Sequence, residues 1–222
     1  FPQLEVRLGI ELEYRPEWLD AFDRLTDELP FDFVLGSVHL VDGHNVSGGP
    51  GRDRFFEGRS QREAYERYFS EIGRMIDWGG FDAVSHFDLV KRFGHLHYGS
   101  YDPGAFQNAI GPVLEGMAAR GIGIEINTSG VFGPGAPFPE RQILEWARAA
   151  GVPSLTIGTD SHEPHVFSHG LDDGIRLAAT AGWTEFTVFV ERTPTVRVPV
   201  TQALAWVESS RPAGPELRDF PA

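Results

Sequence analysis

The sequence contains no cysteine and has a single lysine, Lys91. Without thiols the chain forms neither a disulfide nor a thiolate metal site, so a bound metal must be held by His, Asp and Glu side chains. Long apolar runs of the length that crosses a membrane are absent, and the sequence shows no signal-peptide pattern. We therefore expect a cytoplasmic protein with no membrane partner.

Positive charge is scarce as well, and the formal net charge is −13. Proteins that bind nucleic acid usually present a basic face, so the composition argues against a nucleic-acid partner. A small phosphorylated substrate is compatible with this charge, because bound divalent cations reverse the local potential of an acidic pocket. The composition does not indicate an oligomeric state.

The chain of 222 residues fits a single domain over positions 1–222, with a hydrophobic content of 41% that is ordinary for a globular protein. Short apolar runs alternate with amphipathic segments, a pattern that predicts parallel βα units and an α/β fold. The predicted strands are Leu4–Tyr14, Phe31–Leu40, Phe81–Leu89, Gly121–Gly130 and Pro153–His162, followed by a closing strand Phe186–Val190 and an extended tail Val196–Val200. The predicted helices are Pro16–Leu29, Arg59–Trp78, Phe106–Arg120, Glu140–Ala150 and Asp172–Ala181. Between them, Asp42–Gly58 is predicted to be a long loop over one face, a type of segment that often serves as a lid or binding loop.

Ionisable side chains recur at the ends of the predicted strands. They are Glu11, His39, His86, Asp160 and His162. The carboxyl ends of parallel strands converge on one face of a barrel, so these groups are predicted to form a metal site, with Zn, Mn or Fe as suitable ions. Two alternatives stay open: Glu13 rivals Glu11 on the same strand face, and the Asp-Ser-His run at 160–162 also suits a helix N-cap.

The other histidines lie outside this strand-end pattern. We interpret all of them as surface or supporting residues: His44, His95, His97, His165 and His169. His165 and His169, which follow the fifth strand, are the two expected to come nearest to a substrate.

Five runs resemble motifs of the PHP phosphoesterase superfamily, specifically its histidinol-phosphatase branch, and they occur in the family's order. The runs are Gly9–Tyr14, Phe31–His39, Val84–Phe93, Ile124–Gly130 and Gly158–His162. The first is similar to a Gly-x-Glu motif, which favours Glu11 over Glu13 as the ligand. The third is similar to a Gly-His-x-Asp-Leu motif that is followed by basic residues.

The resemblance implies a distorted barrel of seven βα units with two or three divalent metal ions, which hydrolyses histidinol phosphate in histidine biosynthesis. The family begins with a His-x-His strand, and no such strand precedes Leu4. We therefore expect an incomplete barrel that lacks the first two βα units and keeps only part of the metal centre. Such a chain is expected to be marginally soluble or to have its first strand covered by another chain. Loss of part of the metal centre makes an inactive chain one of the two expected outcomes.

The resemblance also implies roles for individual residues. Metal ligands would be Glu11, His39, His86, Asp160 and His162, with Asp160 and His162 also taking part in catalysis. Phosphate would be met by Arg92, Lys91 and Ser129, with Asn127 helping to orient it. Two functional alternatives are a PHP phosphoesterase of another substrate range and a metal-binding remnant without turnover, and Arg92 and Lys91 would on a simpler interpretation be solvated charges.

Overall fold

The computed structural model describes residues 5–210 of the chain. Its helices are α1 (Leu19–Glu28), α2 (Gln61–Trp78), α3 (Lys91–Tyr98), α4 (Gln107–Arg120), α5 (Arg141–Ala150), α6 (Leu171–Thr180) and α7 (Val200–Ser210). Its strands are β1 (Gly9–Glu13), β2 (Phe33–Ser37), β3 (Leu40–Val41), β4 (His44–Asn45), β5 (Ala83–Val84), β6 (Gly123–Asn127), β7 (Leu155–Gly158), β8 (Glu185–Val190) and β9 (Thr193–Pro199). The predicted α/β class is confirmed.

Five parallel strands form the main sheet in the order β1-β2-β5-β6-β7. Within residues 5–210 the sheet is open, with β1 at one edge and β7 at the other. Strands β8 and β9 form a separate antiparallel hairpin, and β8 packs beside β7. The parallel order brings the carboxyl ends of all five main strands to one side, which is where the candidate site lies.

Helix α2 shows how the sequence dictates a local element. Ser60 is its N-cap: the hydroxyl accepts a hydrogen bond from the Glu63 backbone N–H, and the Glu63 carboxylate accepts one from the Ser60 backbone N–H. The apolar stripe at helical spacing is buried as predicted, and Tyr65, Phe69 and Ile72 have no exposed surface. This face packs against α4 and the sheet, and forms the centre of the hydrophobic core.

Two helices were not predicted. Helix α3 lies where the sequence indicated a strand end and a glycine-flanked loop, and α7 follows the predicted extended tail. Gly94 in the middle of α3 disfavours a helix by propensity. A side chain at this position would collide with Tyr65, because an added Cβ would lie 2.4 Å from the Tyr65 hydroxyl. Tertiary packing therefore determines this helix.

The segment Asp42–Gly58 is more ordered than a plain loop. It contains β4, which pairs with β3, and a short 3-10 helix at Arg52–Phe55. Val46, Phe55 and Phe56 are buried in the core, which fixes the segment against the body of the domain. The predicted long loop thus contains short elements of its own and packs into the core, and Ser47 within it lines the candidate site.

Candidate metal centre

Three predicted ligands converge on one point. The Nε2 atoms of His86 and His39 lie 3.2 and 3.5 Å from the same carboxylate oxygen, Oε1 of Glu11. The three ligand atoms all lie within 4.8 Å of one another. The sequence therefore identified a group that the fold brings together from positions 11, 39 and 86.

The donor set and its spacing fit a zinc-type ion. Bonds of roughly 2.0–2.1 Å to nitrogen and oxygen in a tetrahedral site separate neighbouring ligand atoms by roughly 3.3 Å. The two measured separations, 3.2 and 3.5 Å, lie on either side of this value. Two imidazoles and one carboxylate also leave a coordination position for water or substrate, as catalytic zinc sites do.

Neighbouring strands position the three ligands. Glu11 lies within β1, His39 follows the end of β2, and His86 follows the end of β5. These three strands are adjacent in the sheet, so side chains near their carboxyl ends necessarily meet. The predicted third strand is shorter than expected: it ends at Val84, and His86 lies in the turn beyond it with a positive φ of 27°.

The buried carboxylate of Glu125 supports this strained turn. Its Oε2 accepts hydrogen bonds from the Ser85 hydroxyl at 2.8 Å, the Asn127 side-chain amide at 3.1 Å and the His86 backbone N–H at 3.3 Å. Sequence reasoning assigned Glu125 no role. The available signal was a single charged residue between Ile124 and Ile126 in an otherwise apolar strand, since a buried carboxylate needs partners.

The electrostatics of the group favour metal binding. Burial by itself would raise the pKa of Glu11, but the hydrogen bond and charge of His86, with His39 and Ser37, lower it to about 2. Burial and the neighbouring His86 lower the pKa of His39 to about 4. For His86, burial is outweighed by the hydrogen bond and charge of Glu11, so its pKa is raised. At neutral pH the site therefore presents an ionised carboxylate and a neutral His39, which are the forms that bind metal.

Asp160 and His162 line the same cavity of about 410 Å³ as the three ligands, but lie outside their close group. The Asp160 backbone is left-handed, with φ 52°, and its carbonyl lies 2.9 Å from His162 Nδ1. The His162 side chain is 85% exposed. The fold thus brings both residues to the cavity, while their roles as metal ligands and catalytic groups remain predictions.

Glu13 lines this cavity as well, beside Glu11. Burial and the negative charge of Glu11 raise its pKa, against the lowering effect of Arg15. Glu11, and not Glu13, is the carboxylate of the three-residue group, since it contacts both imidazoles.

Arg92 and Ser129, two of the predicted phosphate contacts, both lie at cavities of the site. Arg92 lines the main cavity and an adjoining cavity of about 200 Å³, which Ser129 also lines. The Asn127 side-chain oxygen accepts hydrogen bonds from the Ser129 hydroxyl at 2.7 Å and from the Ser129 backbone N–H at 3.0 Å. These bonds fix the start of the segment that follows β6.

Lys91 is not placed as predicted. Its side chain is 2% exposed, and Nζ lies 2.9 Å from Glu140, 3.1 Å from the Pro137 carbonyl and 3.3 Å from Asp88. The ammonium is therefore committed to internal partners, and is neither a phosphate contact nor a solvated charge. The local sequence does not distinguish Lys91 from the neighbouring Arg92, because its partner Glu140 lies 49 residues away.

The remaining histidines contribute little to the cavity. Among the described residues that line the two cavities, neither His165 nor His169 is present. His169 stacks on Phe132 with ring centroids 4.1 Å apart, and His97 lies 3.0 Å from Asp53. The expectation that His165 and His169 come nearest to a substrate is not supported by this placement.

Comparison with known proteins agrees with the motifs. The PHP domain matches residues 2–129, which is more than half of the chain. A probable histidinol-phosphatase from Deinococcus radiodurans is 29% identical over 181 residues, covering 81% of this chain and 66% of that protein. Its counterpart from Clostridium acetobutylicum is 25% identical and covers 78% of this chain and 67% of that protein. The chain thus spans about two thirds of the length of these relatives.

A solved structure shares the fold. Histidinol phosphate phosphatase from Lactococcus lactis, complexed with zinc, L-histidinol and phosphate, superposes with a TM-score of 0.72 over 87% of this chain and 73% of that one, at 22% identity. No described helix is long and apolar enough to cross a membrane. With the family match over its first 129 residues and this agreement in fold, the chain belongs to the PHP domain family.

Proposed function

We propose that this protein is a metal-dependent phosphomonoesterase that hydrolyses L-histidinol phosphate to L-histidinol and phosphate. The observation that carries the proposal is the convergence of Glu11, His39 and His86 beneath a cavity that Arg92 also lines. The relatives named histidinol-phosphatase support the choice of substrate. The zinc bound to the Lactococcus lactis protein supports zinc as the ion, with manganese or iron as alternatives.

Divalent ions held by the triad would supply an activated water at neutral pH and neutralise charge on the phosphoryl oxygens. The residues around the triad would hold and orient the substrate. The Arg92 guanidinium would pair with the phosphate oxygens, since a planar fork of N–H donors matches phosphate geometry. The Ser129 hydroxyl, fixed by Asn127, would donate a further hydrogen bond to the phosphate. The Asp160 carboxylate would accept the proton of the attacking water.

The number of ions belongs to the same proposal. Glu11, His39 and His86 supply one position, and Asp160 and His162 would help to form a second across the cavity. Two ions on opposite sides of a phosphoryl group stabilise both the attacking and the leaving oxygen. A cytoplasmic enzyme of histidine biosynthesis is the biological setting that this substrate implies.

Metal content and phosphate release from L-histidinol phosphate, measured together on the protein, test the proposal. His39→Ala and His86→Ala are expected to lose bound zinc and at least about 100-fold in kcat/KM, in the range seen when metal-site residues are disturbed. His44→Ala is the matched control, because His44 lies on β4 outside the cavity lining, and should retain both.

The outcomes separate the alternatives. Zinc binding without phosphate release from any monoester would contradict the hydrolase and leave a metal-binding protein. Turnover of other monoesters in preference to L-histidinol phosphate would retain the chemistry and replace the substrate. Retention of zinc by both triad variants would remove the metal centre itself.

A further inference from the structure

One carboxylate in the cavity forms no ion pair with another residue of the described range 5–210. Three acidic side chains line the cavity, and two of them are engaged: Glu11 with both imidazoles, and Asp160 with His162 at 3.6 Å. Glu13 has no ion-pair partner among residues 5–210, and its Oε1 is buried without a hydrogen-bond partner among them. A carboxylate in this state stabilises a cation that brings donors to it.

The nearest candidate cation is already occupied. Arg15 pairs with Glu17 through two hydrogen bonds of 2.6 and 2.9 Å. Arg92, the one arginine among the cavity-lining residues, is the group that the proposed function assigns to the phosphate. The described part of the chain therefore leaves Glu13 available for a cation from outside the protein.

Its position along β1 indicates which part of a substrate it would meet. Glu13 and Glu11 are two residues apart on the same face of the strand, a separation of roughly 6.6 Å towards the carboxyl end. Glu13 is the last residue of β1, so it lies closer than Glu11 to the carboxyl end of the strand, and both line the same cavity. With the phosphate at the triad, Glu13 would be a carboxylate within the same cavity as the alcohol portion of the substrate.

We propose that Glu13 is a specificity-determining residue that binds the cationic group of the leaving alcohol. The inference rests on the proposed function, because L-histidinol carries an ammonium on the carbon next to the one that bears the phosphate ester. A carboxylate in the cavity pairs with this ammonium and favours a cationic monoester over a neutral one. Glu13 thus acts on substrate choice and takes no part in the bond-breaking step.

The test compares L-histidinol phosphate with p-nitrophenyl phosphate, whose leaving group carries no cation, in the zinc-loaded protein. Glu13→Gln keeps the shape and removes the charge. It is expected to raise KM for L-histidinol phosphate by about 10- to 100-fold, the size of a lost charge-assisted hydrogen bond. The kcat for L-histidinol phosphate should stay unchanged, because the lost contact binds the ground state and the transition state of this substrate equally. The kinetics with p-nitrophenyl phosphate should also stay unchanged, because its leaving group carries no cation to make the contact.

Two further variants control for trivial effects. Glu13→Asp retains the charge and should recover part of the preference for the cationic substrate. Glu28→Gln makes the same change in net charge at the exposed end of α1 and should have no effect. The unfolding midpoint of each variant establishes that the fold is retained.

Calorimetric binding of L-histidinol to the zinc-loaded protein provides a readout without turnover. If the parent chain fails to hydrolyse L-histidinol phosphate but binds L-histidinol with an affinity that Glu13→Gln weakens, the proposed function fails and the role of Glu13 stands. Equal losses on both substrates together with reduced zinc content would make Glu13 a metal ligand and overturn the inference. Unchanged kinetics and binding in Glu13→Gln, or no binding of L-histidinol by the parent chain, would also overturn it.

Discussion

The buried ammonium of Lys91 allows a sharp test of how the site region is held together. Lys91 is 2% exposed and Asp88 is fully buried, while Glu140, at 37%, reaches solvent. The Asp88 carboxylate also accepts a hydrogen bond of 3.0 Å from the Glu140 backbone N–H. The three residues therefore join the turn that carries His86 to the loop before α5.

Lys91→Met retains most of the apolar stem and removes the charge, leaving the Asp88 carboxylate buried without its cation. Breaking a buried pair in this way costs about 3–5 kcal/mol of unfolding free energy, a large part of the about 5–15 kcal/mol of an ordinary domain. Urea unfolding followed by tryptophan fluorescence measures the loss. Arg62→Met, which breaks an exposed pair with Glu66, is the control and should cost less than about 1 kcal/mol.

The pH dependence of this loss has a definite sign. Burial raises the pKa of Asp88, and Lys91 acts in the lowering direction. Removing Lys91 raises that pKa further, so the variant loses stability as the pH rises through the folded-state pKa and regains it when the carboxyl is protonated. The loss should therefore be smaller at pH 5 than at pH 8, and Asp88→Asn in the Lys91→Met background should recover part of it. A cost no greater than that of Arg62→Met would refute the account.

Three further predictions concern the metal centre and its support. In the metal-free chain, the depressed pKa of Glu11 contributes stability above pH 4.5 that is lost as the pH falls towards 2. At pH 6 the parent chain should be more stable than Glu11→Gln by about 2 kcal/mol of unfolding free energy, after allowance for solvent exposure. Urea titrations should show this difference shrinking as the pH falls from 4.5 towards 2. Zinc binding at pH 6.5 should release a proton from His86 and none from His39, as read by calorimetry in buffers of different ionisation enthalpy; equal zinc affinity at pH 5.5 and 7.5 would contradict this. Gly158→Ala would place a Cβ 2.5 Å from Glu125 Oε1 and should lower the free energy of unfolding by about 1–3 kcal/mol, whereas Gly111→Ala, with open space around it, should not.

The sequence was most informative where a pattern is long or a motif is short and local. Helix α2 has eighteen residues over which its apolar stripe repeats, and its capping residues Ser60 and Glu63 lie three positions apart in sequence. The helix predicted to end at Ala150 does end there, and the following Gly151 is its C-cap in the left-handed conformation, with φ of 85°. Three of the five predicted ligands meet because parallel strands have only one arrangement of their carboxyl ends.

Features that depend on distant partners could not be predicted. Lys91 is internal because Asp88 and Glu140 surround it, and Glu140 lies 49 residues away. Glu125 was overlooked because its partners, Ser85 and His86, are 40 and 39 residues distant. Partners this far apart in sequence produce no local pattern. The burial of a charged side chain can be recognised only once the position of its partner in the fold is known.

Glu11 lies on β1, which is at one edge of the sheet within residues 5–210, so metal binding would be coupled to the ordering of this strand. Among residues 5–210, β1 is hydrogen-bonded to one other strand, β2. The Glu11 carboxylate lies against the His86 imidazole, 75 residues away in sequence. A metal ion bound by both side chains would cross-link the ends of this long chain segment. Such a cross-link reduces mainly the conformational entropy of the unfolded chain. Metal binding and the attachment of β1 to the sheet would then be coupled in one equilibrium. Metal-depleted protein would release β1 before the other strands of the sheet separate.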